Sequence, residues 1–284
     1  MPGNAALAID GPRDRLGTMI DPVRRLPPPV GAFLAAFLLI WHSADSLAQG
    51  LSLPHAPLKI ALIQGSGDEA GLHIQLSPGW KFYWRTPGEG GVPAQFDWTG
   101  SENLKQVDVA WPAPKRILLG NTEIYGYGGE VVLPLHVERQ QAGVPYTLDL
   151  KLEYGVCKDI CILRNDRLHL SENASSNDNL ILLAKWRARV PQPAAQVGLQ
   201  LVSHRLKADR LVVSFESQVP LRSPDLFVEG ASESWFGRPT VTMSENGREM
   251  RFDVPATYPP EKARQPLRLT LVDPALQAEL VLPP

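Results

Sequence analysis

Two cysteines, Cys157 and Cys161, are the residues in this 284-residue chain most able to do chemistry together. They lie in the run Tyr154-Gly155-Val156-Cys157-Lys158-Asp159-Ile160-Cys161-Ile162-Leu163. Thiols this close can exchange disulfides or, as two thiolates, hold a soft ion such as Cu(I). A bond between them requires the chain to turn. In a straight strand their Cα atoms would stand about 13 Å apart, whereas a disulfide needs them within about 7 Å. A turn centred on Lys158-Asp159, or one helical turn with about 6 Å of rise, meets that demand. Polar residues between apolar flanks favour the hairpin. So small a ring stabilises weakly, by about 2 kcal/mol in the chain-entropy model. That suits a bond opened and closed in use. A permanent staple in an exported domain is the competing reading, and spacing alone does not choose between them. The copper reading has neither a CxxC motif nor a histidine in the loop behind it.

Other chemistry is hard to find. Six histidines are scattered without metal-ligand spacing, so no metal site is expected. Gly88-Glu89-Gly90-Gly91 and Gly126-Tyr127-Gly128-Gly129 match neither a dinucleotide fingerprint nor a phosphate loop and read as turns. No nucleophile-elbow serine is present. No cofactor is expected. A formal net charge of −2 predicts no nucleic-acid or anionic-membrane partner.

The elements that must position the cysteines begin after a leader. Arg24 and Arg25 precede the apolar run 30–41, and Ser46-Leu47-Ala48 supplies a small-x-small cleavage signal. This is the three-part pattern of a secretory signal peptide, residues 1–48. The run is shorter than the roughly 20 residues needed to span a bilayer, although an uncleaved anchor is the alternative. Met19 makes a more typical start than Met1, and the mature chain should begin near Gln49. No other segment reads as a membrane crossing. The remaining stretch of roughly 235 residues suggests two domains.

With 27 prolines, 23 glycines and few helical patterns, that stretch reads as all-β. Strands are expected over 58–63, 72–76, 130–137, 146–154 and 167–170 from their alternation. Pro134 marks an edge strand or a bulge. The cysteines then fall at a hairpin tip at the end of a sandwich, where scaffolds present functional groups. Trp80, Phe82, Tyr83, Trp84, Phe96, Trp98 and Trp111 form an aromatic-rich region. They read as sandwich core, or as a surface lining the cysteine site. Residues 171–179 have linker composition, and 179–190 suit a short helix ended by Pro191-Gln192-Pro193. Strands over 197–202, 211–215, 226–229, 251–254, 267–272 and 279–282 suggest a second, smaller, cysteine-free β-sandwich-like domain, read as a rigid spacer or docking module. The expected division is leader 1–48, cysteine-bearing sandwich 49–172, linker 173–195 and second domain 196–284.

Three stretches occur in an order and spacing that resembles the N-terminal periplasmic domain of the thiol:disulfide interchange protein DsbD and its copper-tolerance relative ScsB. They are Ser77-Pro78-Gly79-Trp80-Lys81-Phe82-Tyr83-Trp84-Arg85, Asn121-Thr122-Glu123-Ile124-Tyr125-Gly126-Tyr127 leading into Val131-Val132-Leu133-Pro134-Leu135, and Tyr154-Gly155-Val156-Cys157-Lys158-Asp159-Ile160-Cys161. The resemblance covers about residues 55–172, and the rest looks more like ScsB-type proteins. It implies an immunoglobulin-like sandwich whose cysteine pair passes electrons between a membrane-embedded thiol reductase and disulfide-bearing or thioredoxin-like periplasmic proteins. It also implies a cap loop over the pair, matched here by Ile117-Leu118-Leu119-Gly120. Leu118 and Leu119 stand where DsbD has aromatic residues, and the cysteine spacing is shorter than in DsbD. By position, Cys161 would face the partner and Cys157 would be its bridge partner. Tyr83, Trp84 and Tyr125 are candidates to line the site.

The function expected is therefore an exported thiol-disulfide exchange module, a protein-disulfide reductase component. The transmembrane and thioredoxin-like domains of DsbD and ScsB have no counterpart in this sequence, so a separate protein would supply the electrons. The alternative is a non-enzymatic envelope binding or chaperone-like module with a structural disulfide, linked to copper tolerance.

Overall fold

The computed structural model describes residues 58–207, 209–259 and 265–283, so the expected signal peptide lies outside the described residues. In chain order the first part comprises β1 (Leu58–Gln64), β2 (Glu69–Leu76), β3 (Lys81–Gly88), β4 (Gln95–Asp97), β5 (Leu104–Val109), β6 (Lys115–Leu119), β7 (Thr122–Gly128), β8 (Glu130–Arg139), β9 (Thr147–Cys157) and β10 (Cys161–Ser171). One sheet is ordered β1-β2-β8-β5 and the other β10-β9-β3-β7-β6, with β4 on β9. The two sheets enclose one core and make an immunoglobulin-like sandwich. Leu72, Ile74, Leu133 and Leu135 fill it from the first sheet, and Phe82, Leu150, Leu152 and Tyr154 from the second.

Alternation explains most of this. In β9, Leu148, Leu150, Leu152, Tyr154 and Val156 all point inward, two residues apart. Its partner β10 lies on the sheet edge and exposes every second residue. Pro134 departs from expectation, because β8 is an interior strand between β2 and β5. Its carbonyl accepts from the Ala110 amide. In an antiparallel ladder the N and O of one residue face the same neighbour. Proline therefore accepts from Ala110 but cannot return the bond to its carbonyl, and the β5 ladder ends there, at Val109. The glycine runs are also not simply turns, since Gly126 and Gly128 lie within β7 and Gly88 within β3.

Helix α1 (Asn177–Arg187) is capped by the Ser176 side chain, which accepts from the Asn179 amide. Its Leu183 and Trp186 join the first core, so this stretch packs as part of that sandwich. The second part comprises β11 (Gln192–Pro193), β12 (Leu199–Lys207), β13 (Arg210–Ser217), β14 (Asp225–Glu229), β15 (Trp235–Phe236), β16 (Thr240–Met243), β17 (Glu249–Thr257), β18 (Leu267–Asp273) and β19 (Leu276–Leu282). Its sheets run β11-β19-β18-β14 and β12-β13-β17-β15, with β16 on β17. A second core of Leu211, Val213, Phe215, Phe252, Val254 and Leu269 lies between them. Among the described residues no helix is long and apolar enough to cross a membrane.

The two sandwiches share side chains. Phe227 of β14 belongs to the first core. Its ring lies edge-on to Tyr125, centroids 4.9 Å apart, and to Trp84 at 5.8 Å. Arg85 forks onto Glu229 at 2.8 Å and also reaches Glu279. Arg116 binds Asp225 at 2.7 Å and the Leu226 carbonyl at 2.7 Å.

Candidate functional site

Cys157 and Cys161 face each other across the β9–β10 hairpin and are joined by a disulfide, with Cα atoms 4.1 Å apart. Lys158, Asp159 and Ile160 form the connecting loop, closed by the Lys158 amide donating to the Ile160 carbonyl at 3.1 Å. The hairpin tip is where alternation placed it. The two sulfurs are not equivalent. Cys157 is fully buried, whereas Cys161 is an exposed residue at the edge of the sheet.

Cys157 is buried on the side of the sheet away from the main core. The inward row of β9 ends at Val156, so Cys157 belongs with Gly155 and Glu153 on the outward row. There it forms a small separate cluster with Tyr83 and Ile124, against which Ile117 and Leu119 pack. Pairing of β3 with β7 shifts register between Tyr83 and Gly88, an irregularity of the kind that bends a strand. From the β6–β7 hairpin, Ile124 joins Tyr83 and Cys157 in this cluster, and Ile117 and Leu119 pack against it.

The polar group at the disulfide is the Tyr83 hydroxyl, 2.6 Å from Cys157 Sγ and 3.4 Å from Cys161 Sγ. Burial raises the Tyr83 pKa above its ordinary 10.0, so the phenol keeps its proton and can donate it to a sulfur. The charged loop residues do not take this place. Lys158 lies along Gly79, and Asp159 is exposed.

Tyr83 is held by a contact that sequence reasoning missed. A Cβ on Gly91 would come within 2.3 Å of the Tyr83 ring, and Gly91 has φ +139°. A residue with a side chain fits neither the space nor the backbone. The run Gly88-Glu89-Gly90-Gly91 thus lets the chain lie flat on the phenol. Its glycine content was the available signal.

Of the remaining candidates, Leu119 packs on the cluster, while Leu118 points the other way and is 67 % exposed. Trp84 and Tyr125 are separated from the sulfur by the sheet itself. Both rings face inward, against Phe227 of the second sandwich. Among the described residues, no three His, Cys, Asp or Glu side chains converge in a way that could hold a metal ion.

An immunoglobulin-like sandwich that presents a short-loop disulfide at a hairpin tip, one sulfur buried and one at the surface, defines the class. Residues 49–173 match the family described as thiol:disulfide interchange protein DsbD, N-terminal, and this segment of the chain belongs to that family. Residues 189–284 match a second model, described as a domain of unknown function (DUF8393). Among solved structures, the N-terminal periplasmic domain of ScsB from Proteus mirabilis is similar over 82 % of this chain and 96 % of its own, with 22 % identity and a TM-score of 0.68. That likeness establishes the fold. Bovine butyrophilin covers 81 % of this chain and 99 % of its own at 10 % identity, but its TM-score of 0.19 carries no argument. No curated protein matches the sequence.

Proposed function

We propose that this chain is a thiol-disulfide exchange module in which Cys161 meets partners and Cys157 closes and opens the bridge behind it. The observation that carries the reading is the asymmetry of the pair, an exposed Cys161 bonded to a buried Cys157 whose sulfur lies 2.6 Å from a phenol. A thiolate of the electron donor attacks Cys161 Sγ. The sulfur–sulfur bond breaks, and its electron pair leaves with Cys157 as a thiolate, which Tyr83 stabilises by donating a hydrogen bond. A second donor thiolate then attacks the donor's own sulfur in the mixed disulfide and releases Cys161 as a thiolate. The donor ends oxidised and the pair reduced. In the forward half-reaction, the Cys161 thiolate attacks a client disulfide. Cys157 then attacks Cys161 in that mixed disulfide, releasing the reduced client and restoring the bridge.

A periplasmic setting fits family membership and the solved ScsB domain, itself periplasmic. Disulfide-bearing or thioredoxin-like proteins are the proposed clients, and a membrane-embedded thiol reductase the proposed donor. The test uses Cys157→Ser and Cys161→Ser single variants in the native envelope, quenched with acid and a thiol-blocking reagent. Cys157→Ser, which keeps the exposed thiol, should accumulate reducible higher-mass adducts that are absent from the double variant. Adducts from neither variant, with the wild-type pair always oxidised, would leave a stapled sandwich and sink the proposal.

A further inference from the structure

We propose that the second sandwich is a clamp on the β6–β7 hairpin that keeps Cys157 shielded and so decides which sulfur a partner reaches, with Arg116 as the positioning residue. The inference rests on the exchange reading above for its purpose, though not for its geometry. The hairpin has two faces, set by alternation. Ile117, Leu119 and Ile124 look towards Cys157 and Tyr83. Arg116, Glu123 and Tyr125 look the opposite way, towards the second sandwich. Register pairs Arg116 with Tyr125 and Ile117 with Ile124, so each face is continuous across both strands.

On the clamped face, one guanidinium gathers the contacts. The Arg116 side chain is 5 % exposed. It donates to Asp225 at 2.7 Å and to the Leu226 carbonyl at 2.7 Å, both in β14. Within its own hairpin it donates to Glu123 at 2.6 Å and to the Tyr125 hydroxyl at 3.0 Å. Its Cζ lies over the Phe227 ring, 4.6 Å from the centroid. Glu123 then accepts from Arg238 of the second sandwich at 2.8 Å, and Tyr125 donates to the Phe236 carbonyl at 3.1 Å. A planar fork with fixed donor directions is well suited to locking one element against another. Loosening this face frees the hairpin, and its other face is the cover over Cys157.

The test measures access to each sulfur separately in the full chain. Cys161→Ser leaves only the Cys157 thiol, and Cys157→Ser leaves only the Cys161 thiol. N-ethylmaleimide, small and neutral, is the probe. Adding Arg116→Gln should speed labelling of Cys157 by about tenfold, through easier local opening of its cover. Labelling of Cys161, already exposed, should change less than about twofold. Arg238→Gln removes a mostly exposed partner of Glu123 and should act in the same direction more weakly. It carries the test if Arg116→Gln fails to fold. Unchanged Cys157 labelling in folded variants, or an equal rise at both thiols, would overturn the clamp. No client takes part in the labelling, so failed adduct trapping and failed clamping remain separate results.

Discussion

The two sandwiches are built on the same plan and treat their outer sheet faces differently. In the second, β17 buries Met250, Phe252, Val254 and Ala256 and turns Glu249, Arg251 and Thr257 outward. The period of two runs unbroken along this strand, which closes a core, whereas β14 on the other sheet buries Leu226, Phe227 and Val228 in succession, with Phe227 turned to the first core. In the first, Phe82, Tyr83 and Trp84 are buried in succession, and β9 ends with four consecutive buried residues. There the sheet buries both faces. One closes the main core and meets Phe227, and the other holds Cys157 against Tyr83. The lesson is local: alternation fails wherever a sheet is covered on both faces, at β14 as at β9, and only at β9 does the second cover enclose a sulfur.

Two phenylalanines test that contrast most strongly. Phe215 and Phe227 both belong to the second sandwich and are almost wholly buried, but only Phe227 packs in the first core. Replacing either with alanine should cost about 3–5 kcal/mol, the usual loss for a buried ring, read by chemical denaturation. Phe227→Ala should also speed Cys157 labelling in the Cys161→Ser background, because the ring backs the clamped hairpin. Phe215→Ala should leave that rate unchanged. Equal effects of both on labelling would dissolve the distinction between the two regions.

A matched glycine pair probes the same difference at smaller scale. Gly91 and Gly247 both have positive φ, and a Cβ would meet the Tyr83 ring in one case and the Leu221 carbonyl, at 2.5 Å, in the other. Alanine at either should cost about 1–3 kcal/mol in backbone strain and displacement. Only Gly91→Ala should disturb the sulfur chemistry, since only there is the displaced group the phenol beside Cys157. Tyr83→Phe isolates that phenol with little change of shape. Losing its hydrogen bond to the thiolate, worth about 1.4 kcal/mol, should slow alkylation of Cys157 about tenfold at neutral pH. Unchanged alkylation would mean that the ring is chiefly a steric cover, since phenylalanine keeps the ring that packs on Cys157.

Much of this was readable from residues alone, and the gaps have physical causes. The alternation of Leu148, Leu150, Leu152 and Tyr154 ran straight to Cys157 and put the pair at a hairpin tip. In the second sandwich, β13, β17 and β18 announced themselves in the same way. The strands β3 and β7 did not, because Phe82-Tyr83-Trp84 and Tyr125-Gly126-Tyr127 show no period when both faces are covered. The same blindness put Trp84 and Tyr125 beside Tyr83 as site candidates, although one step along a strand moves a side chain to the opposite face. Arg116 and Asp225 lie 109 residues apart in sequence, and nothing local in either announces the other. From sequence the second domain therefore read only as a rigid spacer or docking module.

The mildest test lowers the pH. Burial pushes the Glu123 carboxyl up, but the hydrogen bonds from Arg238 and Arg116, with their charges, outweigh it and hold its pKa below the ordinary 4.5. The unfolded chain therefore binds this proton more readily than the native one. The ion network's stabilising effect is fully present above about pH 4.5 and is lost as the pH falls through the depressed native value. Comparing wild type with Glu123→Gln by denaturant midpoint from pH 6 to pH 3 isolates the effect. Wild type should lose its advantage over the variant across that acid window, and Cys157 labelling, corrected for the lower thiolate fraction, should rise in step. An advantage that persists unchanged to pH 3 would show that Glu123 holds the hairpin by packing alone. The clamp would then depend on Arg116 and its contacts to Asp225 and the Leu226 carbonyl.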